Sequence, residues 1–149
     1  MNGNAVKLFG NVFGAIYALV GVFGFVVTGF VGFAATQGEH LLFFEINPLH
    51  NLVHLGVGVA LMVAASFPTR ITRAAVLTVG GVYAVVGVAG FFVAGTAANI
   101  LALNTADHLL HLATALVAVA ATVVVGTASD RDGGERIGGA VAGASSRTS

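Results

Sequence analysis

No charged residue stands between Lys7 and Glu39, between Glu45 and Arg70, between Arg73 and Asp107, or between Asp107 and Asp130. Stretches this long without charge cannot cover a water-facing surface, but each can cross a bilayer as one helix of about 20 residues. The whole composition agrees: 57% of residues are hydrophobic and 8% charged, against about 25% charged in an ordinary soluble domain. Mean hydropathy is +0.97. Lipid is therefore the expected solvent, and 149 residues leave room for four spans. Formal net charge is zero, which gives no electrostatic case for nucleic acid. There is no cysteine, so disulfides, thiolate metal sites, iron–sulfur clusters and covalent haem are excluded.

The chain resembles itself. Tyr17-Ala18-Leu19-Val20-Gly21-Val22-Phe23-Gly24 returns as Tyr83-Ala84-Val85-Val86-Gly87-Val88-Ala89-Gly90; Gly14 matches Gly80, and Lys7 matches Arg73. After each copy comes a polar stretch, Asn47-Pro48-Leu49-His50-Asn51-Leu52-Val53-His54-Leu55 and then Asn104-Thr105-Ala106-Asp107-His108-Leu109-Leu110-His111-Leu112. Self-similarity on this scale points to a duplicated unit. The expected fold is all-α: a polytopic membrane four-helix bundle built from a duplicated helical hairpin. Repeat 1 covers about residues 7–67 and repeat 2 about 73–126. An even number of spans per unit gives both copies the same direction, the parallel-repeat case. The transmembrane domain is expected over 1–127, with 128–149 as a disordered cytoplasmic tail of Ser, Gly, Ala, Asp and Arg.

Helix 1 is expected from Lys7 to Phe33. It has neither the basic start nor the cleavage site of a signal peptide, so it is read as retained. Its spaced glycines (Gly10, Gly14, Gly21, Gly24) serve close packing within the bundle. A loop from Ala34 to Ile46 follows, nine positions longer than its counterpart in the second half. Its apolar Leu41 to Phe44 belong at the membrane interface. Asn47 caps helix 2, Pro48 takes its first position, and Pro68 ends it. Residues Thr69 to Thr72 are read as a turn, helix 3 as Arg73 to Ala97, and Asn99 to Leu103 as a short connection. Asn104 caps helix 4, with Asp107 in a near capping-box position; this helix ends near Gly126. All Lys and Arg (Lys7, Arg70, Arg73, Arg131, Arg136, Arg147) fall on one side. The expected location is the plasma membrane, as a multi-pass protein, and the positive-inside rule puts both termini in the cytoplasm.

The two polar stretches carry four of the five histidines. Ionisable groups in membrane helices are costly and mark functional sites by default. His50 and His54 are one turn apart and share a face, as do the matched Asp107 and His111. Those four residues form a plausible divalent-metal set for zinc, copper, iron or manganese. Asn51, His108, Asn47 and Asn104 are candidates to orient the ligands, and His108 could instead replace Asp107. His40 and Glu45 could be auxiliary ligands, although solvated loop residues are the plainer reading. A b-type haem held by His54 and His111 is the alternative cofactor, in an electron-transfer subunit; no basic residue on that face pairs with propionates. A proton or solute path through His50, Asp107 and His108 lacks a polar lower half. Against all of these stands a purely structural reading, in which Asn47, Asn104 and Asp107 cap helices and the histidines bond across them. Tyr17 and Tyr83 read as interfacial anchors or interhelical hydrogen-bond partners. No nucleophile elbow, phosphate loop or zinc-protease motif is present, so no catalytic residue is assigned. The expected role is a metal-binding accessory or binding protein, with lipid, a homo-oligomer or a larger membrane complex as partners.

These two polar motifs, with the Tyr-Ala-x-Val-Gly repeats, resemble an actinobacterial-type family of small four-helix integral membrane proteins, a domain of unknown function. The resemblance covers about Val6 to Gly126. It implies the four-span topology and carries no activity to this chain.

Overall fold

The structure, a computed structural model, describes residues 3 to 123. Helix α1 spans Gly3–Thr28, strands β1 and β2 span Glu39–Leu41 and Phe44–Ile46, α2 spans Pro48–Ala65 and α3 spans Thr69–Val93. Helix α4 spans Thr105–Val123 within the described residues. All four helices are long and apolar enough to cross a membrane, and their outward faces carry large apolar side chains such as Val26, Phe92 and Val85. The chain is an all-α multi-pass membrane protein of the four-helix bundle class. The expected tail and the end of helix 4 near Gly126 lie outside the described residues.

The bundle interior is graded from apolar to polar. At the end holding Lys7 and the α2–α3 turn, Phe9, Leu61, Val76 and Ala118 form a hydrocarbon core. Tyr17, Tyr83 and Ala115 make the next layer, packed with Phe13, Val57 and Val79. Buried His50, His54 and His111 follow, and beyond them Asn47, Asn99 and Asp107 close the far end.

Glycines let α1 lie against α2, and α3 against α4. A β-carbon at Gly14 would come 2.8 Å from the Gly58 carbonyl, and one at Gly21 would come 2.7 Å from the Asn51 carbonyl. In the second half, one at Gly80 would come 2.9 Å from the Ala118 β-carbon, and one at Gly87 2.8 Å from Leu112. The small-residue stripe is thus used for packing inside the bundle, as expected. Gly21→Ala should cost about 1–3 kcal/mol through overpacking. Gly56→Ala, where an added β-carbon meets no described residue within 4 Å, should instead stabilise by roughly 0.5–1 kcal/mol. Unfolding of the two variants in mixed micelles measures both.

Four boundaries differ from the sequence reading, the first being the start of α1 at Gly3 rather than Lys7. Helix α1 stops at Thr28 rather than Phe33, because Gly29 turns to φ 56 and Gly32 to φ 62. Helix α3 begins at Thr69: the residues read as a turn form its first turn, with Pro68 before it and the Pro68 carbonyl accepting from Ile71 N at 2.8 Å. It ends at Val93 rather than Ala97, since Ala94 is extended and Gly95 sits at φ 75. The segment read as a plain loop contains an antiparallel hairpin, with Leu41 opposite Phe44 and Leu42-Phe43 at its tip. Leu42 holds φ 60 and is exposed. A branched side chain pays about 1–2 kcal/mol in that conformation, so Leu42→Gly should raise stability by up to about 1 kcal/mol, read from the same unfolding curves.

Candidate metal centre

Two capped helix starts bring the polar residues to one end of the bundle. The Asn47 side-chain oxygen accepts from His50 N at 2.8 Å, while its amide donates to the carbonyls of Ala35 at 2.7 Å and Ile100 at 2.8 Å. Asn104 does the same in reverse: Oδ1 accepts from Asp107 N at 3.1 Å, and Nδ2 donates to the Phe43 carbonyl at 2.9 Å. Each cap therefore also holds the connection belonging to the other half. The Asp107 carboxylate accepts from Asn104 N at 2.9 Å, completing a capping box. Asn99 binds Leu103 N and O at 2.9 and 3.0 Å and fixes the α3–α4 connection.

That connection determines a histidine tautomer. The Leu101 carbonyl lies 3.1 Å from His50 Nδ1. A carbonyl only accepts, so Nδ1 carries the proton and His50 Nε2 is bare. His50 Nε2 faces His54 Nε2 at 3.0 Å, which must then donate. Among the described residues, His54 Nδ1 is left as a buried acceptor with no hydrogen-bond partner, and His111 Nδ1 is also buried and unpartnered. Buried polar atoms are seldom left so. The ring nitrogens of His50, His54 and His111 that could ligate all lie within 4.8 Å of one another. Tyrosines from the neighbouring helices buttress the rings, Tyr17 edge-on to His54 at 5.1 Å and Tyr83 to His111 at 4.8 Å. Tyr17 also makes the interhelical hydrogen bond, to Thr114 Oγ1 at 2.8 Å.

The structure thus brings together three of the four expected ligands. Asp107 is not among the three clustered groups; it caps α4 and lines a cavity with His50 and His54. Asn51 and His108 lie in the helix–helix seams instead of against the ligands. The Asn51 amide donates to Thr28 Oγ1 at 2.9 Å and rests against Gly24. The His108 ring rests against Gly90 and, at 4.8 Å, against Phe91, with both nitrogens unpartnered among the described residues. His108 is consequently not placed to stand in for Asp107. His40 and Glu45 pair across the hairpin, and neither belongs to the histidine cluster.

Three contributors had no strong sequence signal. The Leu101 carbonyl is a backbone group, invisible to side-chain patterns. Thr114 lies one turn below Leu110, and its hydroxyl could have been noticed only as a rare polar residue in an apolar helix. Asn99 stands in a connection and looks like any loop asparagine.

Fold and site together define a multi-pass membrane protein with a buried histidine triad at one end of its bundle. The chain belongs to the family described as Domain of unknown function (DUF4383), whose family model matches residues 7–124. No curated protein and no solved structure matches the chain.

Proposed function

We propose that this protein binds a divalent transition metal through His50, His54 and His111, as a binding or accessory protein of the plasma membrane. The observation that carries this reading is the convergence of three buried imidazoles within 4.8 Å. A metal at about 2.0–2.1 Å from each nitrogen would set them roughly 3.3–3.5 Å apart, so the 3.0 Å His50–His54 pair would open slightly while the wider separations, all within 4.8 Å, would close. A purely structural role explains the cluster less well. Interhelical hydrogen bonds are worth only about 0.6 kcal/mol on average in membrane proteins, and here His54 and His111 each keep a ring nitrogen with no hydrogen bond among the described residues. All-imidazole ligation suits zinc, copper or iron; manganese would call on an oxygen such as that of Asp107. The geometry favours a single ion over b-type haem, since His50 stands 3.0 Å from His54 where a porphyrin would need a clear plane.

A duplicated hairpin supports the site's symmetry. The pairs Tyr17–His54 and Tyr83–His111 are equivalent contacts, as are Gly24–Asn51 and Gly90–His108. Lys7, Arg70 and Arg73 lie at the bundle end away from the triad, so the positive-inside rule puts both termini in the cytoplasm and opens the triad toward the outer face.

X-ray absorption of the zinc-loaded protein tests the ligand set. Three histidine nitrogens at about 2.0–2.1 Å are expected. A shell without histidine would refute it.

A further inference from the structure

The triad is flanked by two clefts that the duplication makes equivalent and the loop insertion makes unequal. One lies between α1 and α4 and has a volume of ≈ 280 Å³; the other, between α2 and α3, has ≈ 60 Å³. Their walls correspond position by position: Tyr17 and Ile16 in the first stand where Tyr83 and Val82 stand in the second, and Thr114 stands where Val57 does. His54 lines both. The roofs do not correspond. Leu101 and Leu103 press down on the small cleft, whereas the inserted hairpin arches over the large one with Leu41, Leu42, Phe44 and Ile46. Asp107, at the position matched to His50, lines only the large cleft, whereas His50, tied to the Leu101 carbonyl, borders both.

We propose that the large cleft binds a small apolar molecule with a neutral hydroxyl head, taken laterally from the bilayer, with that head against the His50–His54 side of the triad. The proposal rests on the metal-triad reading for the partner of the head group. Ile16 and Leu110 at the cleft are 49% and 40% exposed, which in a membrane-spanning helix means exposure to lipid. The volume is just under the range of about 300–1,000 Å³ usual for small-molecule pockets, so one ring or one short alkyl chain fills it. The polar end fixes the head chemistry. Asp107 offers acceptors, while the open side of a three-histidine metal asks for an oxygen lone pair. A hydroxyl supplies both a donor and an acceptor. A carboxylate has no proton to give Asp107, and an ammonium has no lone pair to give a metal.

The test uses the protein in phosphatidylcholine nanodiscs and three photoreactive medium-chain probes identical but for an alcohol, acid or amine head. Metal content is measured on the same samples. The alcohol should label the hairpin tip and α1 wall about tenfold more than the acid or amine, the discrimination expected of one hydrogen bond to a charged group. Ile16→Trp should abolish this labelling, and Val82→Trp, the matched position of the small cleft, should leave it intact. Leu110→Phe closes the same mouth should Ile16→Trp fail to fold. Equal labelling by all heads, or labelling spread along the outer helix faces and unaffected by either blocking substitution, would overturn the proposal. Selective alcohol labelling of protein that takes up no metal would support the cleft and refute the metal reading alone.

Discussion

Replacing two of the three clustered histidines, in His54→Ala/His111→Ala, is expected to remove metal binding altogether. Structural zinc sites with four ligands are worth roughly 10–16 kcal/mol, about 3 kcal/mol per ligand. Losing two should therefore weaken affinity by on the order of 10⁴-fold or more, measured by competition with a chromogenic chelator. The same rings also fill space beside Tyr17 and Tyr83, so the alanines leave a cavity and lower stability as well. His54→Phe/His111→Phe separates the two roles. It refills the layer and should recover most of the stability while leaving binding abolished. Were the histidines only packing, the phenylalanine protein would differ from the parent in nothing that can be measured.

Asn47 carries the second large effect. A plain helix cap is worth about 1 kcal/mol, and Asp serves nearly as well as Asn. Asn47 is buried and also donates to the Ala35 and Ile100 carbonyls, and stranding two buried acceptors costs about 1–3 kcal/mol more. Asn47→Ala should thus destabilise by roughly 2–4 kcal/mol. Asn47→Asp should be nearly as harmful, because it keeps the cap but sets a carboxylate against two carbonyl oxygens. Because the Asn47 cap fixes the turn that carries His50, metal affinity should fall in both variants. An Asp variant as stable as the parent would show that Asn47 is a cap and nothing more.

The spans were legible because charge is absent from them, and the caps were legible because Asn-Pro and Asn-x-x-Asp are local patterns. The hairpin was not. Its tip is Leu42-Phe43 in place of the Asn-Gly or Asp-Gly that mark two-residue turns, and an apolar run of that length has no distinguishing period. The early start of α3 has no local mark: Pro68 ends α2, and nothing in Thr69 to Thr72 distinguishes a turn from the first turn of the next helix. At the site, helical spacing found His50, His54 and His111 but could not separate Asp107 from them. His50 and Asp107 hold matched places, yet one turns its ring to a carbonyl from the α3–α4 connection and the other turns back to its own cap. Those choices depend on loops, whose paths helical periodicity does not encode.

The most direct test of the metal centre is elemental analysis per polypeptide of the detergent-purified protein, prepared without chelator or histidine tag. The account predicts near-stoichiometric zinc, copper or iron that is lost in His54→Ala/His111→Ala. Absence of metal, even after reconstitution with each of these ions in turn, would contradict it.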